Sequence, residues 1–373
     1  MLIGIEASRA NRVHKTGVEW YAWQLIQALK HLPEAQEHAW LLYTNTSLAE
    51  PLRTGPANWH EAQLSWPVPY LWTQARLSYE MRVRPPTRLF VPAHVLPLVT
   101  PKKSFVTIHD VGFHRFPKLY KPVQRAYHEW STRDIIRRAA RIITVSEFSK
   151  QELIELYRAS PDQVVVIPLG IDQTSKPPIP SERQQAILKT HHLTHPFFLF
   201  IGRLERKKNV TLLVEAFTRF TQTRDKNDLT ELVFVGPPGE GYTEFQRLRN
   251  ASPARDAIRV LGYLNEEEKT VLLQSATALV HATWYEGFGL TPLEAMAQGT
   301  PAICSRVASL PEVVGEKNAL WFDPSNINSL VNALHAISDD KQLRAHLSEL
   351  GQQWVKKYTW QETAHQTLRV LTD

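Results

Sequence analysis

The feature that most constrains the fold is an alternation of short apolar runs with amphipathic helical patterns. In the C-terminal half, β-branched and aromatic runs predict strands at Phe197–Ile201, Leu232–Val235, Ile258–Leu261, Ala278–His281 and Ala302–Cys304. Helical patterns lie between these runs, and the clearest, Asn209–Thr221, begins with Asn209 as a predicted N-cap. This alternation predicts an α/β domain in which helices cover both faces of a parallel sheet.

The N-terminal half repeats the alternation. Its predicted strands are Leu2–Ile5, Trp40–Tyr43, Leu89–Val91, Phe105–Ile108, Ile142–Val145 and Val164–Ile167. Its predicted helices are Val18–His31, Val123–Ala139 and Phe148–Tyr157. We therefore expect two doubly wound domains that face each other across a cleft at the carboxyl ends of their sheets, where such sheets bind ligands.

The domain boundary is predicted at a stretch rich in proline and small residues. This stretch, 174–182, has the composition of a linker. It separates a first domain, 1–173, from a second domain, 183–357. The chain becomes wholly helical after Asn326, and its last segment, 358–373, is expected to pack back onto the first domain.

Composition narrows the class of protein. Hydrophobic residues make up 43% and charged residues 21% of the chain, as in a folded globular protein. No apolar run approaches the roughly 20 residues of a membrane span, and the N-terminus lacks the pattern of a signal peptide, so a cytoplasmic location is expected. The single cysteine, Cys304, cannot form an internal disulfide and is expected to be buried. The net charge of +6 permits an anionic partner, although no nucleic-acid partner is expected.

The strongest functional motif is a glycine-rich loop flanked by two carboxylates, Glu286 and Glu294. It follows a predicted strand and precedes a predicted helix. Gly287 and Gly289 permit close approach of the backbone to a ligand. A carboxylate before such a loop has no capping role, and solvation at the surface is the simple alternative for Glu286.

The helix after this loop carries its own start signals. Thr291 is the predicted N-cap and Pro292 suits the first helical position, so the N–H groups there predict a site for a phosphate or an electron-rich sugar oxygen. Thr291–Glu294 also has the pattern of a capping box. A structural role for Glu294 therefore stays open.

Two further motifs follow predicted strands. Gly202 and a group of cations that includes Arg203 and Lys208 come after Phe197–Ile201, where they can neutralise a diphosphate or form a solvated helix flank. His109 and Asp110 end the strand Phe105–Ile108. An imidazole there can hydrogen-bond a sugar hydroxyl, although a lone histidine is usually structural and Asp110 can simply orient backbone.

Together these motifs resemble the donor site of retaining GT-B-fold glycosyltransferases of the group 1 family. The E-x7-E spacing, the E-G-F-G-L loop and the following E-A-M-A-x-G-T-P carry the resemblance. It implies two Rossmann-like domains and transfer of a hexose, with retention, from a nucleotide-diphosphate sugar to a glycan or lipid-linked acceptor. The nucleotide sugar is a substrate, and no cofactor is implied.

The resemblance also implies roles for individual residues. Glu286 contacts the donor sugar and Glu294 the nucleotide ribose, while Arg203 and Lys208 hold the diphosphate. With His109, which matches the acceptor-side motif together with Asp110, these residues form the expected catalytic and binding set. The backbone positions expected to contact the donor are Gly202, Gly262, Tyr263, Gly287, Phe288, Gly289 and Leu290.

Two of these positions carry alternatives of their own. Gly262 and Tyr263 match the place where the family's backbone meets the nucleotide base, yet they also fit an ordinary turn between strand and helix. Gly17 occupies the family's glycine-rich loop on the acceptor side, where Thr16 replaces the first glycine.

Other functions and partners are also considered. The sequence shows no cluster of metal-ligating residues, so metal-independent activity is expected. A non-catalytic nucleotide-sugar-binding protein and a same-fold nucleotide-sugar epimerase remain alternatives. The segments 66–84, with interleaved aromatic and basic residues, and 115–141, rich in arginine, predict either a solvated face or peripheral docking on an anionic membrane.

Overall fold

The protein is described by a computed structural model that covers residues 1–13, 15–68, 70–172, 179–225 and 227–373. The chain divides into two compact units. The first contains Met1–Gly170 together with Tyr358–Asp373, and the second contains Ile171–Lys357. Residues 174–178 of the predicted linker lie outside the described residues.

The first unit is built on a parallel sheet. The strands in its described part are β1 (Leu2–Glu6), β2 (Ala39–Thr44), β3 (Trp59–Gln63), β4 (Arg88–Val91), β5 (Ser104–Ile108), β6 (Arg141–Thr144) and β7 (Val164–Val166). Their order across the sheet is β3-β2-β1-β4-β5-β6-β7. The helices that accompany them are α1 (Gly17–Lys30), α2 (Ser78–Val83), α3 (Gly112–Arg115), α4 (Pro122–Arg138) and α5 (Glu147–Tyr157), and a π-helical turn, Trp72–Leu77, precedes α2.

The second unit has the same design. Its described strands are β8 (Phe197–Ile201), β9 (Glu231–Val235), β10 (Ile258–Gly262), β11 (Ala278–His281), β12 (Ala302–Ser305) and β13 (Ala319–Phe322), in the order β10-β9-β8-β11-β12-β13. The helices are α6 (Ser181–Thr190), α7 (Val210–Gln222), α8 (Tyr242–Ala251), α9 (Glu266–Ser275), α10 (Leu290–Ala297), α11 (Leu310–Val314), α12 (Ile327–Asp339) and α13 (Lys341–Trp354). The α/β class and the doubly wound parallel sheets are thus confirmed.

The last helix, α14 (Trp360–Thr372), belongs to the first unit. The Thr363 hydroxyl donates to the carbonyl of Pro168 at 2.8 Å, and the Arg88 guanidinium donates to the carbonyl of Leu371. A Cβ on Gly170 would lie 2.2 Å from the backbone nitrogen of Trp360, so only glycine fits between the two segments. Close backbone packing therefore holds α14 against the first unit.

The sheet order places the site loops. Each sheet winds outward in both directions from two central neighbours, which are β1 and β4 in the first unit and β8 and β11 in the second. Loops that leave such neighbours at their carboxyl ends diverge to opposite faces and leave a crevice between them. In the second unit these are the loops after β8 and after β11, which carry the predicted cations and the predicted acidic motif.

Asn209 does occupy the N-cap position of α7, but without the predicted capping hydrogen bond, and the predicted N-cap Thr291 of α10 is wrong. Asn209 lies in the left-handed region (φ 51°), and its side-chain amide donates to the carbonyl of Pro324 at 3.2 Å instead of capping α7. The helix α10 begins at Leu290 with Gly289 at the N-cap position, so Thr291 and Pro292 already lie inside its first turn. Asn209 thus has a tertiary contact in place of a capping bond, and a glycine with positive φ precedes α10.

Two strands were not predicted. The strand β3 has the sequence WHEAQ and lies at the edge of its sheet, half exposed, so it lacks an apolar run. The strand β13 is short and follows a turn that contains Gly315. Pairing with β2 defines β3, because its sequence has no apolar run. The sequence of β13, ALWF, is a short apolar run that could have indicated this strand, and it pairs with β12.

Candidate functional site

The centre of the site is the carboxylate of Glu286, in the loop between β11 and α10. Its Oε1 atom accepts hydrogen bonds from the Lys208 ammonium and from His281 Nε2, the latter at 3.1 Å. The Glu286 side chain retains only 14% of its accessible surface. Glu286 is therefore not a solvated surface acid, and the structure brings it together with one of the two predicted diphosphate-binding cations.

Electrostatics keep Glu286 ionised. Burial by itself would raise the pKa of Glu286, but the Lys208 ammonium and the His281 hydrogen bond overcome burial and hold the pKa well below its usual range. Burial lowers the pKa of His281, and Glu286 opposes part of this effect. A neutral His281 that donates from Nε2 to a carboxylate matches both shifts.

His281 was not among the predicted site residues. It is the last residue of β11 and is buried, with 3% of its surface exposed. A polar residue at the carboxyl end of a buried strand, five residues before a functional acid, is the signal that could have identified it. Its role is to orient Glu286, because its Nε2–H donates directly to the carboxylate.

The turn Arg206–Lys208, the cation turn, is hydrogen-bonded through the Lys207 carbonyl to the acidic loop 282–289. The backbone N–H of Trp284 donates to the carbonyl of Lys207 at 2.9 Å, and the Thr283 hydroxyl donates to the same carbonyl at 3.1 Å. The Lys207 ammonium lies 5.3 Å from the ring centroid of Tyr285, at cation–π distance. Two motifs nearly 80 residues apart in sequence thus form a single structural element.

The Ser309 side chain contacts the backbone of the glycine-rich loop. Its hydroxyl lies within hydrogen-bonding distance of the carbonyls of Glu286 and Phe288, at 2.9 and 3.1 Å. Gly289 has φ 102°, and a Cβ there would lie 2.5 Å from Leu310 Cδ2. The Phe288 side chain is buried, so this residue can offer only its backbone to a ligand. Ser309 is another residue that sequence patterns did not reveal.

Glu294, the second acid of the motif, has a different partner from the one its capping pattern suggested. Its Oε1 atom lies 3.5 Å from the Lys269 ammonium, which also pairs with Glu266 Oε2 at 2.9 Å. Burial would lower the pKa of Lys269, but the two carboxylates outweigh it and raise the pKa. Glu294 is therefore a half-exposed acceptor beside a permanent cation, and it does not cap α10.

Three glycines form the carboxyl edge near Arg203. Gly202, Gly236 and Gly262 end β8, β9 and β10 or follow them directly, and the Gly236 N–H donates to the carbonyl of Gly262 at 2.7 Å. The Arg203 side chain lies along Gly239, where a Cβ would come within 2.7 Å of Arg203 Cγ. The loop 236–241 thus packs against the loop after β8 that carries Arg203. Its glycines do not have the G-x-G-x-x-G spacing of a dinucleotide-binding site.

Arg203 differs from Lys208 in its surroundings. Its side chain is exposed and makes no ion pair within the described ranges. Tyr263, next to Gly262, is 66% exposed, and a Cβ on Gly262 would meet open space. Of the predicted donor residues, Lys208 and Glu286 are in direct contact, whereas Arg203 and Tyr263 extend toward solvent.

In the first unit, His109 follows β5. Its ring donates to the carbonyl of Pro92, and its Nε2 atom is buried without a hydrogen-bond partner in the described structure, so Nδ1 is the donor and Nε2 the acceptor. Burial lowers the pKa of His109 to about 4, although Asp110 opposes this effect. The neutral ring thus presents an unsatisfied acceptor, as binding of a hydroxyl group requires.

The other predicted residues of the first unit have local roles. Asp110 Oδ1 accepts the backbone N–H of Gly112 at 2.9 Å, so it does orient the backbone at the start of α3. Gly17 is the first residue of α1, and a Cβ there would meet nothing within 4 Å. The backbone N–H of Thr16 donates to Glu19 Oε2 at 3.1 Å, which closes the turn before the helix.

Neither metal clusters nor spanning helices are found in the described ranges. No group of three or more His, Cys, Asp or Glu residues there is arranged to hold a metal ion. Likewise, none of the helices within those ranges has both the length and the apolar character needed to cross a bilayer. Cys304 is buried, as expected from its sequence.

Each unit is built on a doubly wound parallel sheet. In the second unit, the acidic glycine-rich loop and the cation turn meet at the switch point of the sheet. This fold and this site define a GT-B glycosyltransferase. Residues 183–354 match the family described as glycosyl transferases group 1, and residues 16–175 match glycosyltransferase family 4. The chain belongs to the group 1 glycosyl transferases, which confirms the family resemblance.

Individual proteins support this assignment. The chain is 30% identical over 269 residues to the O-antigen chain mannosyltransferase B of Escherichia coli, covering 72% of this chain and 69% of the relative. It is 29% identical over 255 residues to the MMP alpha-(1->4)-mannosyltransferase of Mycolicibacterium hassiacum, covering 67% and 58%. The crystal structure of Anabaena Alr3699/HepE in complex with UDP and glucose has the same fold, with TM-score 0.76, 15% identity and coverage of 100% and 99%.

Proposed function

We propose that the protein transfers a mannosyl residue from a nucleoside-diphosphate mannose to a glycan or lipid-linked acceptor in polysaccharide biosynthesis, with retention at the anomeric carbon. The observation that carries this proposal is the Glu286 carboxylate held between Lys208 and His281 at the carboxyl edge of the second sheet. Mannose as the sugar is supported by the names of both relatives. Retention is supported by the alpha-(1->4) product of one relative, because nucleoside-diphosphate mannose is itself an α-anomer.

The proposed chemistry uses charge that is already in place. When the glycosidic bond to the diphosphate breaks, negative charge grows on the leaving phosphate, and fixed cations stabilise it. Lys208 has three N–H donors, so it can hold Glu286 and a phosphate oxygen at the same time. The exposed guanidinium of Arg203 can supply a bidentate contact to the diphosphate.

The carboxylates bind hydroxyl groups in this scheme. Ionised Glu286 accepts hydrogen bonds from hydroxyls of the donor sugar, and Glu294 accepts from the ribose. In the first unit, the unsatisfied Nε2 of His109 accepts from a sugar hydroxyl. We propose that the reaction needs no metal cofactor, since Lys208 and Arg203 supply the positive charge that a metal would bring to the diphosphate.

A ligand screen tests the proposal. We expect GDP-mannose or UDP-mannose, and not UDP-glucose or UDP-N-acetylglucosamine, to raise the unfolding temperature; a donor at 100 times its Kd adds about 2.7 kcal/mol of stability. Turnover to an octyl mannoside acceptor should persist in EDTA. The variant Glu294→Gln should weaken the thermal shift, while Glu349→Gln, on the exposed part of α13, should leave it unchanged.

The outcomes discriminate among the alternatives. Thermal shifts without turnover would favour a non-catalytic nucleotide-sugar-binding protein. Release of an isomeric nucleotide sugar without any acceptor would favour an epimerase. Complete loss of turnover in EDTA, restored by magnesium or manganese, would contradict the metal-independent mechanism.

We also propose that the first unit docks on the anionic cytoplasmic face of a membrane through the surface formed by the first half of α4 and the turn 70–71. Val123, Tyr127 and Trp130 form an exposed apolar stripe on α4, with Val123 83% exposed. Tyr70 and Leu71 are also exposed, and the Gln74 amide donates to the Tyr127 hydroxyl at 3.3 Å, which joins the two segments.

Charge on this surface is less uniform than the sequence pattern suggested. Exposed Lys121 and Arg125 flank the apolar stripe, whereas Arg133 and Arg137 pair with Glu129 and Asp134 on the same helix. Of the aromatic and apolar residues in 66–84, Trp72 and Leu77 are buried in the core and do not belong to the surface. The remaining cations favour anionic headgroups by about 1 kcal/mol each.

Vesicle binding tests this surface. The protein should co-sediment with vesicles that contain phosphatidylglycerol at low salt, and the variant Val123→Ser/Tyr127→Ser/Trp130→Ser should bind at least about 10-fold more weakly because it loses the apolar contacts. The control is Leu229→Ser, which removes an apolar residue that is 56% exposed from the second unit. Absence of co-sedimentation at low salt, or equal binding by the triple variant, would contradict membrane docking.

A further inference from the structure

Three histidines and a carboxylate lie together at the carboxyl edge of the first sheet. His94 follows β4, His109 and Asp110 follow the neighbouring parallel strand β5, and His128 is on α4. The rings of His94 and His128 meet edge to face, with centroids 5.6 Å apart. Asp110 acts electrostatically on all three imidazoles. The predicted site contained only His109 and Asp110 of this group.

The hydrogen-bonding pattern fixes the role of His94. The Thr132 hydroxyl donates its single proton to the carbonyl of His128 at 2.8 Å. In the 2.7 Å contact between His94 Nε2 and Thr132 Oγ1, His94 must therefore be the donor. His94 thus fastens the end of β4 to the turn of α4 that carries His128, and it acts as a positioning residue.

The His128 ring is held in a defined orientation, but one of its nitrogens has no hydrogen-bond partner in the described structure. Its ring stacks on Phe113 at a centroid distance of 5.2 Å, and its Nδ1 atom is buried without a hydrogen-bond partner in the described parts of the chain. Burial lowers the pKa of His128, so the ring is neutral near pH 7. A buried imidazole nitrogen without a partner costs free energy, which a ligand hydroxyl can recover.

We propose that His128, together with Asp110, binds a hydroxyl group of the sugar acceptor, and that His94 holds His128 in place for this contact. The proposal rests on the proposed glycosyltransferase function and adds the chemistry of the acceptor. A hydroxyl group both donates and accepts, so it can serve a neutral imidazole and a carboxylate together.

Steady-state kinetics with GDP-mannose as donor and octyl α-mannoside as acceptor test the subsite. The variant His128→Phe keeps the ring stacked on Phe113 but removes both nitrogens. We expect KM for octyl α-mannoside to rise at least about 10-fold, since one buried hydrogen bond is lost. Hydrolysis of GDP-mannose without acceptor and the GDP-mannose thermal shift should stay unchanged. His128→Gln, which restores an amide, should recover part of the affinity.

The control is His60→Phe, the same change at an exposed histidine on β3. In case the His128 variants do not fold, nitrogen NMR of histidine-labelled wild-type protein gives a second measurement, because the Nδ1 resonance of His128 should shift when octyl α-mannoside is added. An unchanged KM in His128→Phe, or an unchanged resonance, would overturn the subsite alone. A wild-type protein that neither binds nor turns over any nucleotide sugar would overturn the proposed function and the subsite with it.

Discussion

Replacing Glu286 by glutamine is expected to lower kcat by about 100- to 1000-fold, the range found when one fixed electrostatic contact to a transition state is removed. Glutamine has nearly the same shape but no charge. It cannot hold Lys208 by charge, and although its carbonyl oxygen can still accept from Lys208 and His281, its other terminal atom changes from an acceptor to a donor. The cation turn then loses its anchor, and hydroxyls of the donor sugar lose their acceptor.

The measurement is initial-rate kinetics with circular dichroism to confirm folding. A matched control is Glu316→Gln, which removes a carboxylate from an exposed pair with Arg306 in the same unit. Exposed pairs contribute little, so kcat of the control should change less than about twofold. A folded Glu286→Gln protein with kcat within fivefold of wild type would remove Glu286 from the active site.

Replacing Gly236 by alanine is expected to destabilise the second unit by about 3 kcal/mol or more, since positive φ and steric overlap each cost about 1 to 3 kcal/mol. Gly236 has φ 139°, and a Cβ there would lie 2.0 Å from the carbonyl oxygen of Gly202. That oxygen belongs to backbone and cannot move aside as a flexible side chain would. Relief requires the loop with Arg203 to shift, so affinity for the donor should fall as well.

Thermal unfolding measures the effect. For a domain of this size, 3 kcal/mol corresponds to a fall in Tm of roughly 6 to 12 °C. Gly17→Ala is the control, because Gly17 begins α1 and has open space where a Cβ would lie. Its Tm should stay the same or rise slightly. A Tm for Gly236→Ala within about 2 °C of wild type would show that the two glycine loops do not pack closely.

Much of the fold could be predicted because it depends on local patterns. The long helix α7 has strong helical periodicity, and the buried strands are short continuous apolar runs, so both patterns indicate secondary structure directly. The edge strand β3 could not be predicted in this way, because half of its residues face solvent and pairing with β2 defines it. The start of α10 was predicted two residues too late, because Gly289 with positive φ, and not Thr291, precedes the helix.

The candidate site could likewise be predicted only in part from the sequence. The motif around Glu286 is contiguous, so its glycines and acids could be read as a ligand loop. The partners of those acids lie elsewhere in the chain, with Lys208 on the loop after β8 and Lys269 on α9. Spacing along the chain carries no information about which cation reaches which carboxylate, and the two glutamates in fact pair with different lysines.

The sequence by itself determined the alternation of strands and helices, the two-domain α/β class and the loop from Glu286 to Glu294. Each of these features depends on residues that are close together in the sequence. Only the tertiary structure decided that His281 and Lys208 hold Glu286 and that the rings of His94 and His128 meet. The physical reason is that burial and hydrogen bonding depend on groups far apart in the chain, which only the packed sheets bring within contact distance.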